Sequence, residues 1–194
     1  MPGAIERDLA TGGDRPLTGA AREDRVRLIF AMNIRLATHD DVPAITAIYN
    51  HAILHTIASF WYEPRPEEEL AREVGASSGT TYPWLVAERD GQVVGTAWSK
   101  RWNPRTAYDI TCEVSVYIAP EAKGQGVGKA LYTDLFARLR AIGYRHIIGG
   151  ISLPNEASVR LHESMGMKRV ALFPGIGEKF GKAIDVGYWQ VTTT

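Results

Sequence analysis

The run Lys123-Gly124-Gln125-Gly126-Val127-Gly128-Lys129 links an apolar strand pattern, Val114-Ser115-Val116-Tyr117-Ile118, to an amphipathic helix pattern. Glycines let a backbone take positive φ and come close to a ligand, and the first N–H groups of a following helix point at whatever anion sits there. With Lys123 and Lys129 adding charge at its edges, the turn reads as a phosphate cradle. Just upstream, Glu113 sits between Cys112 and Val114 in an otherwise apolar strand. It is either a partly dehydrated carboxylate suited to general-base work or an outward-facing strand glutamate, and the pattern alone leaves both open. Cys112, the single cysteine, has no identifiable activating partner and reads as packing rather than as a nucleophile.

Spacing separates the phosphate-binding readings. A P-loop requires G-x-x-x-x-G-K-[ST], which would put Lys123 at the first glycine and Ala130 at the magnesium-binding hydroxyl. A dinucleotide fingerprint requires G-x-G-x-x-G, and here Lys129 stands at the third glycine. Both fail. The run resembles motif A of the GCN5-related N-acetyltransferases, [QR]-x-x-G-x-[GA], with Lys123 at the first position. That position offers mainly backbone and positive charge to the pyrophosphate of coenzyme A.

Composition fits one enzyme domain. With 194 residues, 45% of them apolar, the chain can bury a sizeable core but leaves little room for a second domain. A formal net charge of zero argues against nucleic acid or an anionic membrane as main partner. A lone cysteine excludes an intramolecular disulfide and suits a reducing cytoplasm. Residues 1–31 carry no core-facing period and are expected to form a flexible leader, with Met32 as a candidate start and 32–194 as the folded domain.

The elements that must hold these groups alternate between strand and helix. Asn33–Ala37 reads as a strand, and Asp40-Asp41-Val42-Pro43 opens a helix carrying Val42, Ile45, Ile48, Tyr49, Ala52 and Ile53 at helical spacing. Pro64 and Pro66 precede a second helix whose Glu67-Glu68-Glu69 run is a solvated first turn rather than a metal site. Asp90-Gly91 signals a two-residue hairpin between Trp84–Glu88 and Gln92–Trp98. Tyr108–Ile118 reads as a long strand. Next come a helix over Gly126–Ala141 facing inward with Val127, Leu131, Leu135, Leu139 and Ile142, a strand over Arg145–Ile151 and a helix over Asn155–Met165. Lys168–Phe173 and Asp185–Val191 close the chain as strands. The class is α/β (α+β), with a central hairpin instead of strict βαβ repetition.

This order is similar to the N-acetyltransferase fold, a mixed sheet whose fourth and fifth strands splay apart to admit acetyl-CoA. The resemblance narrows, over Asn33 to Gln190, to the phosphinothricin and methionine sulfoximine acetyltransferases. It rests on Ile48-Tyr49-Asn50-His51, Tyr82-Pro83-Trp84-Leu85-Val86-Ala87-Glu88, Ala107-Tyr108-Asp109, Glu113-Val114-Ser115-Val116-Tyr117, Leu153-Pro154-Asn155 and Asp185-Val186-Gly187-Tyr188-Trp189-Gln190. A second family pattern is matched by Asn155, Ser158, His162, Gly166 and Met167, with His162 where tyrosine is usual.

The resemblance implies acetyl-CoA as cosubstrate, no metal, and direct transfer to the α-amine of a small methionine- or glutamate-like amino acid, the alternatives being acetylation of another small amine or a peptide N-terminus, or a non-catalytic acetyl-CoA sensor. It implies Glu113 as base, and an oxyanion held by a backbone N–H near Val116. His162 would donate the thiol proton. Cofactor contacts fall on Val116, Tyr117, Ile118, Lys123, Gly124, Gln125, Gly126, Val127, Gly128, Lys129 and Asn155; substrate contacts fall on Phe60, Asn103, Pro104, Arg105, Tyr108, Val114 and Ser115. Arg105 would fork onto acceptor oxygens, while Asn103 replaces the lysine of phosphinothricin-specific members. A homodimer is also implied, with Lys179 and Phe180 reaching toward a neighbouring site.

Overall fold

Strand alternation and turn chemistry lay out the architecture. The computed structural model describes residues 32–77 and 81–193; the leader expected over 1–31 lies outside the described residues. In chain order the elements are β1 (Asn33–Leu36), α1 (Val42–His55), α2 (Glu67–Ser77), β2 (Trp84–Arg89), β3 (Gln92–Arg101) and β4 (Thr111–Ile118). They continue with α3 (Val127–Ile142), β5 (His146–Leu153), α4 (Glu156–Ser164), β6 (Lys168–Lys179) and β7 (Lys182–Thr192). The strands form one sheet in the order β1-β2-β3-β4-β5-β7-β6. Among the described residues only β4 and β5 run parallel.

The β2–β3 hairpin turns at Asp90 and Gly91, whose φ values of 52° and 75° are the left-handed pair that a two-residue turn matched to strand twist requires. Along β2 the side chains alternate. Trp84 and Val86 face α1 and α2, while Leu85 and Ala87 belong to the core under α3. Burial on both faces explains why β2 reads as a continuous apolar run. At the start of α1, the Asp41 carboxylate takes two hydrogen bonds from the Arg35 guanidinium at 2.7 and 2.8 Å and one from the Thr38 N–H at 2.8 Å, tying β1 to the helix.

Three expectations need correction. Thr106–Tyr108 is a single 3-10 turn, so β4 begins at Thr111 instead of Tyr108. Val127, Leu131, Leu135 and Leu139 are buried as expected, but Ile142 is exposed, because it is the last residue of α3 before the left-handed cap at Gly143. The closing strands run to Lys179 and from Lys182, with Pro174 and Gly175 absorbed in an irregularity between Phe173 and Gly177 within the β6–β7 ladder.

The sheet positions the site through one interruption. β4 and β5 pair at Thr111–His146, Cys112–Ile147 and Glu113–Ile148, and then stop. Beyond that rung β4 stays paired with β3 as far as Ile118, and β5 with β7 as far as Leu153. The two parallel strands therefore diverge into a V whose apex is Glu113 and Ile148.

Candidate active site

The pocket opens on the face of the sheet covered by α1 and α2. Its floor is an aromatic ladder across β2, β3 and β4. Trp84 stacks on Trp98 at 4.5 Å between ring centroids, Trp98 on Tyr117 at 5.3 Å, and Tyr49 of α1 meets Trp98 edge-on at 5.5 Å. Trp84 Nε1 donates to Thr96 Oγ1 at 2.8 Å, which donates in turn to the Leu85 carbonyl at 3.0 Å, so the buried polar atoms of this floor are satisfied. The cavity above it, about 1200 Å³, is lined by Lys100, Glu113, Ser115, Gly150, Ser152 and Tyr188 from the strands and by Phe60, Trp61 and Tyr62 from the α1–α2 loop.

Those loop aromatics are clamped to the β6–β7 hairpin. Phe60 packs on Gly177, where an added Cβ would lie 2.4 Å from the ring, so only glycine fits. Tyr62 donates its hydroxyl hydrogen to the Glu178 carbonyl at 2.9 Å. The Lys179 ammonium donates to the Trp61 carbonyl and lies 5.2 Å from the centroid of Tyr62. Burial lowers its pKa. Lys179 thus turns into its own chain, contrary to the expectation that it reaches a neighbouring site; Phe180 is exposed.

Glu113 stands on the last shared rung, on the pocket face, with its side chain 19% exposed. Its carboxylate lies 3.2 Å from the Lys100 ammonium, the residue directly across from it in the β3–β4 register. On the β5 side Gly150 leaves room: a Cβ there would sit 3.8 Å from Glu113 Oε1 and 3.3 Å from the Tyr188 ring. Cys112 points to the opposite face, fully buried, where dehydration pushes its thiol up to about 12. A protonated thiol under the sheet cannot carry an acyl group from this pocket.

His162 is 3% exposed on α4 and lies against Gly149, the first β5 residue past the apex, on the face of the sheet opposite Glu113. Its Nδ1 is 2.8 Å from the Ser158 carbonyl, which can only accept, so Nδ1 carries the hydrogen and Nε2 is left to accept from the Tyr132 hydroxyl at 3.3 Å. Dehydration lowers its pKa against the raising effect of the Ser158 carbonyl. The ring is a neutral imidazole with both nitrogens engaged, and it does not line the pocket with Glu113.

The glycine turn has the geometry of an anion cradle. Gly124 and Gly126 have φ of 74° and 84°, Gly126 caps α3 without a side-chain bond, and the first intrahelical bond is Ala130 N–H to the Gly126 carbonyl. The earlier N–H groups of α3 are therefore presented outward, flanked by exposed Lys123 and Lys129. Gln125 braces the loop, donating to the Glu121 carbonyl at 2.7 Å and accepting from Arg89. Gly128, unlike Gly124 and Gly126, does not take positive φ. It lies within α3, and a Cβ there would meet Leu161 Cδ2 at 2.9 Å, so it serves close packing of α3 on α4. Asn155 caps α4, its Oδ1 accepting from the Ser158 N–H at 3.1 Å.

Of the expected substrate contacts, Phe60 and Ser115 line the pocket, whereas Val114 faces the α3 core. Asn103, Pro104, Arg105 and Tyr108 lie on the β3–β4 connection and do not line the pocket. Arg105 is exposed, its N–H bonded to Asn103 Oδ1 at 3.0 Å. Val116 and Ile118 pack toward the α3 core, and Tyr117 donates to the Ala58 carbonyl at 3.1 Å beneath the pocket. Gly150 and Tyr188 lie outside the expected contacts. Lys100, close in sequence to Asn103 and a cation that could compensate for the lysine missing there, is set opposite Glu113 by the β3–β4 register.

Comparison with known proteins agrees with this geometry. The profile of the Acetyltransferase (GNAT) family matches residues 50–167. A phosphinothricin N-acetyltransferase of Alcaligenes faecalis is 40% identical over 161 residues, covering 82% of this chain and 82% of its own. An L-methionine sulfoximine/L-methionine sulfone acetyltransferase of Salmonella typhimurium is 37% identical over 161 residues, covering 82% and 94%. The crystal structure of a GNAT superfamily phosphinothricin acetyltransferase from Sinorhizobium meliloti in complex with AcCoA superposes with a TM-score of 0.80 at 34% identity, covering 84% of this chain and 88% of that one. With the diverging β4–β5 pair, the left-handed glycine turn and these relatives in agreement, the chain belongs to the GNAT acetyltransferase family, in the branch of the phosphinothricin and methionine sulfoximine acetyltransferases.

Proposed function

We propose that this protein transfers the acetyl group of acetyl-CoA to the α-amine of a small amino acid of the phosphinothricin, methionine sulfoximine or methionine sulfone type. The observation that carries the reading is the position of Glu113 at the apex of the V, on the pocket face, where the acceptor side of the sheet meets the open edge of β4. The residues present fit the donor. The N–H groups of Gly126, Val127, Gly128 and Lys129, with Lys123, would hold its pyrophosphate. The stretch from Val114 to Ile118, open on the side facing β5, would take its extended arm as an added strand. When bound, acetyl-CoA supplies an activated thioester.

The chain's own groups do the rest. Glu113 accepts one proton of the acceptor's ammonium, freeing the nitrogen lone pair to form the new C–N bond; as the C–S bond breaks, coenzyme A leaves as the thiolate and takes up the second proton, which the nitrogen releases on becoming an amide. Backbone N–H groups of β4 beyond the apex favour the charge developing on the carbonyl oxygen. His162 enters as a residue that orients the Tyr132 hydroxyl behind the apex and not as a charged acid, because its one hydrogen is committed to Ser158. Buried, protonated Cys112 favours direct transfer over an acyl-enzyme. Apolar side chains exposed on β6, Val170, Leu172, Phe173 and Ile176, the first and last two of which border the pocket, would suit a homodimer interface, and the single cysteine suits a cytoplasmic location.

The test is thiol release from acetyl-CoA with L-methionine sulfone, L-methionine sulfoximine, L-phosphinothricin, L-methionine and spermidine as acceptors. Turnover of the first three above the last two supports the reading. Acetyl-CoA binding with no turnover of any amino acid contradicts it.

A further inference from the structure

The pocket holds two cations among its described lining residues, Arg65 and Lys100. Arg65 is committed: its guanidinium bonds Glu69 at 2.8 Å and Glu73 at 2.7 Å and lies 5.2 Å from the Trp61 ring centroid. Lys100 has one charged partner, Glu113, at 3.2 Å. Its side chain is 56% exposed against 19% for Glu113, so the lysine reaches down from the rim of the pocket to the base. Such a contact is easily exchanged, since an exposed pair of this kind is weak and a lysine stem turns freely about its single bonds.

The polarity of this pair matches one class of ligand. A free α-amino acid carries an ammonium and a carboxylate on adjacent carbons, and the site presents a carboxylate and an ammonium side by side. The geometry points to Lys100 as the residue that reads the acceptor's α-carboxylate: the incoming carboxylate takes the Lys100 ammonium from Glu113 while the incoming ammonium takes its place. The exchange leaves each charge paired and places the α-amine against the base. It also sets specificity. A peptide N-terminus offers a neutral amide where the carboxylate should be, and a polyamine brings further cations toward Lys100. Arg105, exposed on the connecting loop and not lining the pocket, is not required for this recognition. The assignment rests on the acceptor class proposed above.

The experiment compares L-methionine sulfone with its carboxamide as acceptors for the unaltered protein, Lys100→Met and Lys100→Arg, with acetyl-CoA affinity measured on each as a folding control. Loss of a charge-assisted hydrogen bond is expected to lower kcat/KM for the acid roughly 10–100-fold in Lys100→Met, mainly through KM, while the carboxamide changes about threefold or less. Lys100→Arg should recover most of the preference for the acid. An acid-to-carboxamide ratio that is the same in Lys100→Met as in the unaltered protein overturns the role of Lys100 and leaves the acetyltransferase reading standing. Failure of the unaltered protein to acetylate any α-amino acid, with acetyl-CoA bound, overturns both.

Discussion

Gly149 and Gly150 are neighbours on β5 that face opposite sides of the sheet, and adding one methyl group to each should produce separate failures. At Gly149 a Cβ would lie 2.6 Å from His162 Nε2 and 2.7 Å from its Cδ2. The ring cannot retreat freely, because Ser158 holds Nδ1 and Tyr132 meets Nε2. Overpacking of this kind costs about 1–2 kcal/mol, and loosening one buried hydrogen bond adds about 1 kcal/mol, so Gly149→Ala should destabilise by about 2–3 kcal/mol. For a chain of this length that lowers Tm by roughly 4–12 °C. At Gly150 the nearest atoms are Tyr188 Cε1 at 3.3 Å and Glu113 Oε1 at 3.8 Å, on the open pocket side. Gly150→Ala should stay within about 1 kcal/mol of the parent, since the loss of unfolded-chain entropy offsets a small shift of Tyr188. Its methyl occupies space beside the base, and displacing the acceptor there should lower kcat/KM roughly 10–100-fold. Differential scanning calorimetry and thiol-release kinetics on both variants make the comparison. A Gly149→Ala protein as stable as the parent, or a Gly150→Ala protein with full kcat/KM, would refute the assignment of the two faces.

Native protein should leave Cys112 unalkylated by N-ethylmaleimide at neutral pH and show no acetyl-cysteine by mass spectrometry after mixing with acetyl-CoA, because its thiol is buried and titrates near 12. His162 should make stability depend on acid. Its folded pKa lies below the ordinary histidine value, so the neutral form is favoured by folding; that stability is present above about pH 6.5 and is lost as pH falls through the depressed folded value. Denaturation midpoints between pH 7 and 5 should therefore fall less steeply in His162→Phe than in the parent. Gly126→Ala forces an L side chain into φ +84°, at a cost of about 1–2 kcal/mol, and is expected to weaken acetyl-CoA binding about tenfold by calorimetry while leaving the acceptor KM little changed.

Much of this molecule is legible from residue order because local signals agree with the tertiary outcome. Asp90-Gly91 fixes the hairpin, Asn155 caps its helix, and Ile45, Ile48, Tyr49, Ala52 and Ile53 lie in the core as their helical spacing requires. The glycine turn is equally plain at 124 and 126, where positive φ is the reason for glycine. It misleads at 128, where the reason is Leu161 on another helix and no local signal exists. The site's charges divide the same way. Glu113 stands out as a carboxylate in an apolar strand, but Lys100 looks like any charge at a strand end until pairing with β4 brings it opposite Glu113. Arg105, implied by resemblance, lies exposed at the start of the 3-10 turn Thr106–Tyr108 and is not among the residues that line the pocket. The resemblance implies a proton donor at His162, whereas its burial and its two partners give a neutral ring.

Whether Glu113 takes the acceptor's proton during acetyl transfer is decided by Glu113→Gln, because the amide keeps the shape of the side chain and removes its basicity. With a proton-accepting Glu113, kcat with L-methionine sulfone should fall about 10²- to 10⁴-fold at pH 7.5 while the acetyl-CoA dissociation constant is unchanged. A Glu113→Gln protein that turns over at a rate close to the parent would contradict that role.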